Sequence, residues 1–251
     1  MEIVLLTALG VGGASVFGAL IGFLFKRTDH KFSDVVLSFA AGVMLAAAVI
    51  GLILPSLDYG NDFALIVTVA GIFCGALCIN LIDKLVPHLH RLSGDAEHHP
   101  EKQAQLSKVL LFVIAIAIHN LPEGIAAGVG FGTGNTTEAL TIAGGIALQN
   151  IPEGMVIIAP MLAAGMSRGK TFVIAIITGV VEVVGTLIGY FAVSVSNAIL
   201  PFALAFAGGT MLYVISDEMI PETHAHGNER AATYSLLAGF CLMLIFDVLL
   251  G

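Results

Sequence analysis

VLLFVIAIAIHNLPEGIAAGVGFGTGNTTEALTIAGGIALQNIPEG, residues 109–154, is the stretch on which the fold turns. It is apolar almost throughout, yet it carries HNLPEG at 119–124 and QNIPEG at 149–154. Each hexapeptide holds a glutamate and a proline, and a proline inside a helix denies one carbonyl its donor. An ionised carboxylate at the centre of a bilayer costs roughly 2.5–3.5 kcal/mol on insertion scales. Two of them, placed the same way twice, point to a polar site inside hydrocarbon.

The rest of the chain gives the same solvent. Of its 251 residues, 57% are hydrophobic and 11% are charged, against about 25% charged in a soluble domain. Residues 3–25, 35–57 and 63–82 contain no Asp, Glu, Lys or Arg, and each is long enough for the ~20 apolar residues that cross a bilayer core. Glu123, Glu153 and Glu182 are the acidic residues deep in the later apolar runs. The pattern predicts an all-α polytopic membrane protein with eight transmembrane helices, near 3–25, 34–55, 63–86, 106–130, 139–164, 171–193, 200–221 and 231–250.

All ten Lys and Arg residues, from Lys26 to Arg230, lie in or flank the connections that follow odd-numbered spans, and so on one side. By the positive-inside rule that side is cytoplasmic, which puts both termini outside a plasma or inner membrane. The start MEIVLLTALG lacks a basic n-region and reads as a retained helix. The net charge of −8 offers no basic stripe for phosphates and argues against a nucleic-acid partner. Cys74, Cys78 and Cys241 form no ligand framework and read as polarisable packing residues.

FAAGVML at 39–45 and FAGGTML at 206–212 open spans 2 and 7, which run in opposite directions. Inverted repeats of this kind mark transporters with a midplane site. The whole chain, 1–251, reads as a single transmembrane domain. Residues 87–108 form a cytoplasmic loop with His88, His90, His98 and His99, and His224 and His226 lie on the same side. Mixed imidazole and carboxylate can hold borderline divalent ions weakly.

His119 and Glu123 are four residues apart and share a helix face, and Gln149 and Glu153 repeat that spacing. Asn120 and Asn150 stand three residues before the same glutamates. Opposed, the two helices would supply N and O donors around two adjacent points that share both carboxylates, the geometry of a two-cation site. SDEMIPETH at 216–224 adds Asp217 and Glu218 near the cytoplasmic end of span 7, Asp83 ends span 3 on that side, and Asp58 and Asp247 lie toward the outside. These are interfacial charges or the two mouths of a cation path.

Together, the eight spans, the paired hexapeptides, the His-bearing loop and DEMIPETH resemble the ZIP (Zrt/Irt-like protein) family of divalent-metal transporters. Gln149 with Glu182 is similar to its prokaryotic, GufA-like branch. The resemblance implies a 3+2+3 arrangement, with spans 4 and 5 between inverted repeats of spans 1–3 and 6–8. It implies import of Zn²⁺ and related ions into the cytoplasm by alternating access, metal being cargo and not a cofactor. One ion would map onto His119, Glu123, Gln149 and Glu153, and a second onto Asn120, Glu123, Asn150, Glu153 and Glu182. Ions would enter near Asp58 and Met44 and leave past Glu218, Asp217 and Asp83.

Many members have His at Gln149, some have Asp at Asn150, and span 7 commonly reads His-Glu at Asp217–Glu218. Amide and carboxylate oxygens are harder donors than imidazole, which widens the cargo from Zn²⁺ and Cd²⁺ to Fe²⁺ and Mn²⁺. Protons would compete with metal for the glutamates, so affinity should fall on acidification. The bilayer and divalent ions are the expected partners, with a homodimer compatible. Two other functions fit intramembrane metal: a metalloenzyme, which the lack of HExxH disfavours, and a metal sensor that binds without transport.

Overall fold

The computed structural model describes residues 1–25, 29–59, 62–92, 117–163 and 165–250. Among these every regular element is helical. We number the long helices α1 (Glu2–Gly22), α2 (His30–Asp58), α3 (Ala64–Leu92), α4 (117–130), α5 (Thr136–Ala163), α6 (Arg168–Val195), α7 (Leu200–Thr223) and α8 (Glu229–Leu250). All but α4 are long and apolar enough to cross a membrane. Of the span expected at 106–130, residues 106–116 lie outside the described residues.

The chain starts its helices with side-chain caps where the sequence offers them. Asp29 Oδ1 accepts from the Phe32 backbone N–H at 2.8 Å, Asn135 Oδ1 from Thr137 and Glu138, and Ser167 Oγ from Lys170. Each satisfies an amide that the first turn leaves without a partner. α3 runs on to Leu92, so residues 87–92, expected in the loop, are helical. Hydropathy locates the end of the membrane-compatible run, and the helix continues past it.

Prolines set the interior irregularities. Pro160 cannot donate to Val156, and α5 breaks there, turning at Ile157 before resuming at Ile158. Pro55 and Pro221 cannot serve Gly51 and Asp217, and in each case the helix widens into a π turn, Ala47–Ile53 in α2 and Ile215–Met219 in α7. The rungs lengthen accordingly: Leu54 N–H reaches Val49 O, and Ile220 N–H reaches Ile215 O. The FAAGVML and FAGGTML helices therefore share a π turn and a proline as well as a sequence. They run antiparallel, because His226 just past α7 stacks on His30 at the start of α2, 4.3 Å between ring centroids.

Packing divides the helices into two groups. α1 lies along α5 and α6, and α4 joins them through Gly128 on the Thr186 carbonyl and Gly189 on that of Ile125. α3 lies along α7, and α8 along α2. Contact between the groups runs chiefly through α2 against α5. The outward faces are apolar, with Leu65, Phe73, Val180, Ile245 and Val248 exposed. So continuous an apolar exterior suits lipid and not water. Cys74 and Cys241 sit exposed on it as free thiols.

One end of the molecule carries Lys31, Arg168, Lys170 and Arg230 at the starts of α2, α6 and α8. Phe25–Phe32 and Phe23–Phe172 ring contacts hold these ends together. It is called the basic face below.

Candidate functional site

The two hexapeptides meet. HNLPEG lies in α4 and QNIPEG in α5, and Gln149 Nε2 donates to Glu123 Oε1 at 2.8 Å. Their glycines make the close approaches that a side chain would block. A Cβ on Gly124 would land on the Glu182 carbonyl of α6, and one on Gly154 on the Ser15 carbonyl of α1. Each hexapeptide thus seats its backbone directly on a neighbouring helix, one turn from its asparagine.

Behind that contact lies Glu182, with no exposed surface. Its Oε1 accepts from Ser15 Oγ at 2.5 Å and from Asn120 Nδ2, and its Oε2 accepts from Asn150 Nδ2 at 2.7 Å. The amides spend their remaining donor capacity on backbone: Asn120 on Thr178 O at 3.4 Å, Asn150 on Val11 O at 3.3 Å. With nitrogens so engaged, the oxygens are left over. Asn120 Oδ1, Asn150 Oδ1, Gln149 Oε1, Glu123 Oε2 and Glu153 Oε1 are all buried without a donor. Buried acceptors are normally satisfied, and here five from two short motifs are not.

A cavity of about 510 Å³ reaches this cluster. It lies between the two helix groups, lined by Met44 of α2, His119, Asn120 and Glu123 of α4, Glu153 of α5, and Asp217 and Glu218 of the α7 π turn. It continues past Leu37 and Glu222 toward the basic face, where a second cavity of about 320 Å³ shares those two residues and reaches His30, Asp34 and His226. Among the described residues, acidic side chains line the main cavity and no Lys or Arg does. Such a lining concentrates cations and repels anions.

His119 is, among the described residues, the one imidazole there, and its Nε2 lies 2.7 Å from Glu218 Oε1, linking α4 to α7 across the cavity. It is therefore engaged by Glu218 while Gln149 is engaged by Glu123. Among the described residues no group of three His, Cys, Asp or Glu side chains forms a ready metal cage. What converges is a mixed set in which amide oxygens supplement carboxylates.

The other expected residues fall elsewhere. Asp58 ends α2 at the end opposite the basic face, and Asp247 lies near the C-terminal end of α8. His224 is tied down near the α7 end, Nδ1 at 2.9 Å from Ile220 O and Nε2 at 3.1 Å from Thr233 Oγ1. His226 Nδ1 pairs with Asp34 Oδ1 at 3.0 Å, and Asn228 Nδ2 donates to Asp34 Oδ2 at 2.9 Å. The side chains of Asp83, His88 and His90, and all of His98 and His99, lie outside what is described. Sequence reasoning missed Ser15 and buried Asp34. Asp34, standing one turn into α2, carried a readable signal as a carboxylate at the edge of an apolar run. Ser15 carried none.

Fold and site together define a multi-pass membrane protein with an acidic cavity at the junction of two helix groups. Comparison with known proteins agrees with that class. The family profile described as ZIP Zinc transporter matches residues 88–247. The chain is 40% identical to Zinc transporter GufA of Myxococcus xanthus over 98% of both chains. It is 37% identical to Zinc transporter ZIPB of Bordetella bronchiseptica, covering 96% of this chain and 81% of that one. Zinc transporter ZupT of Chlorobaculum parvum is 35% identical, over 93% and 92% respectively. The chain belongs to the ZIP zinc transporter family.

Proposed function

We infer that this chain carries divalent transition-metal cations across a membrane and is a transporter, not an enzyme. The observation that carries the reading is the set of five buried acceptor oxygens without donors, supplied by the two hexapeptides beside an acidic cavity. A desolvated oxygen that lacks a donor is unfavourable by about 1–3 kcal/mol, and a cation offsets that for several oxygens at once. Zn²⁺ is the leading cargo, with Cd²⁺, Fe²⁺ and Mn²⁺ admitted by oxygen-rich ligation.

The finer reading is a binuclear site. His119, Glu123, Gln149 and Glu153 would hold one ion on the cavity side. Asn120 and Asn150, with Glu182 and the shared glutamates, would hold a second deeper in. Met44, expected beside Asp58 at the entrance, lines the main cavity with Asp217 and Glu218; these three and Asp83 would form the inner path, with Asp58 and Asp247 at the far mouth and the His-bearing segment 87–108 receiving ions beyond the exit. His224 and His226 are weaker candidates there, being already engaged.

The architecture we favour is one domain of eight spans arranged 3+2+3, in an inner membrane with both termini outside and a homodimer compatible with it. Shared π turns and prolines in α2 and α7 support the inverted repeat. Alternating access is favoured because, among the described residues, the cavity extends toward the basic face while Ile142 packs on Gly51 toward the other end. The test is flux. In sealed proteoliposomes, Glu123→Ala/Glu153→Ala is expected to abolish saturable Zn²⁺ or Cd²⁺ uptake while the protein still inserts. Undiminished uptake by this variant would sink the site assignment, and saturable binding without any uptake by the native protein would favour a sensor.

A further inference from the structure

Ser15 is a hydroxyl in the middle of α1, flanked on both sides by apolar turns and 5% exposed. Such a serine ordinarily returns its proton to the carbonyl four residues back. Here that carbonyl, Val11 O, accepts from Asn150 Nδ2 instead, and Ser15 Oγ donates across to Glu182 Oε1 at 2.5 Å. Ser15 is also fixed from the other side, because its own carbonyl lies where a side chain on Gly154 would be. One residue of α1 therefore touches α6 through its hydroxyl and the QNIPEG motif through its backbone.

The consequence is read at the asparagines. Glu182 accepts from Ser15, Asn120 and Asn150, three of the roughly four lone-pair positions a carboxylate offers. A carboxylate so held presents only acceptors to the two amides. Each must turn its NH₂ toward Glu182, and each Oδ1 is thereby left buried and undonated. Without Ser15 the carboxylate keeps, among the described residues, only the asparagines themselves as donors. It is then free to rotate, and the amides lose their fixed orientation.

We propose that Ser15 is a positioning residue for the cargo site: by anchoring Glu182 it aims the amide oxygens of Asn120 and Asn150 as hard donors toward the incoming cation. This rests on the metal-transport reading above. Ser15 touches no cargo in it and acts only through Glu182.

The experiment compares native protein, Ser15→Ala, Glu182→Gln and the double variant. Zn²⁺ uptake into proteoliposomes gives KM and Vmax, calorimetry with Cd²⁺ in detergent gives Kd, and thermal unfolding is recorded for each. Loss of a residue that orients metal ligands weakens affinity by about 10–100-fold. Ser15→Ala is accordingly expected to raise KM and Kd about tenfold, with Vmax and unfolding temperature retained, and to add nothing in the Glu182→Gln background.

An unchanged Kd in Ser15→Ala overturns the proposal. So does an equal loss in both backgrounds, which would mean that Ser15 acts by another route, or a loss that tracks a lower unfolding temperature, which would make its role structural. Native protein that binds Cd²⁺ without carrying Zn²⁺ overturns the transport reading alone, and the Ser15 claim is still decided by Kd.

Discussion

Gln149 illustrates how one side chain can serve two demands. Its Nε2 donates to Glu123 Oε1 at 2.8 Å, while its own Oε1 is buried and undonated. A neutral histidine could reproduce both functions, one ring nitrogen donating and the other accepting or ligating. The exchange replaces a hard oxygen by a borderline nitrogen, which suits Zn²⁺ better than Mn²⁺. Gln149→His is therefore expected to raise the ratio of Zn²⁺ to Mn²⁺ uptake on the order of tenfold, equivalent to about 1.4 kcal/mol. Competition between the two ions in proteoliposomes measures it, and an unchanged ratio would mean that residue 149 does not meet the cargo. The same pairing explains why the amide is tolerated at zero exposure. Its cost is met on one side by Glu123 and, in the proposed cycle, on the other by metal.

At the scale of the element, the α7 π turn decides where Asp217 and Glu218 point. Pro221 has no N–H for Asp217, and the ladder widens so that Ile220 reaches Ile215. Pro221→Ala restores the donor, and α-type rungs can close again, shifting one part of the helix against the other by about 100° per residue. Glu218 would then leave His119, which it now meets at 2.7 Å. The expected result is an unfolding temperature at or above the native one with clearly slower Zn²⁺ uptake. Native uptake in this variant would separate the π turn from transport. The sequence made the prolines and the charge-free helices plain, because desolvating Asp, Glu, Lys or Arg is costly enough to leave visible gaps. The pairing of the two hexapeptides, which meet through Gln149 and Glu123, was legible for the same reason, their glutamates standing alone in apolar runs. Two kinds of feature were not legible. A proline marks a missing rung but not whether the helix breaks, as α5 does at Ile157, or widens, as α2 and α7 do. Ser15 finds its partner 167 residues away, and a helical serine with a local alternative gives no hint of that.

For the whole molecule, the question is which end is open. The main cavity runs from the hexapeptides past Leu37 and Glu222 to the basic face. Toward the other end the groups are closed on each other: Ile142 of α5 packs where a side chain on Gly51 of α2 would stand, and Tyr59 Oη donates to Glu138 Oε2 at 3.3 Å. A carrier has to open that seam while it closes the cavity. Single cysteines report on this once Cys74, Cys78 and Cys241 are replaced by alanine. In right-side-out vesicles, a membrane-impermeant maleimide is expected to label Tyr59→Cys from outside and Glu222→Cys only after permeabilisation, because positive residues mark the cytoplasmic face. The reverse pattern would invert the proposed topology. Met44→Cys, which lines the cavity at 1% exposure, is the discriminating position between carrier and pore. Under alternating access it is reachable from one side at a time, so cargo that biases the carrier toward one side should slow its labelling from the other. In a continuous pore, labelling from the two sides would rise and fall together.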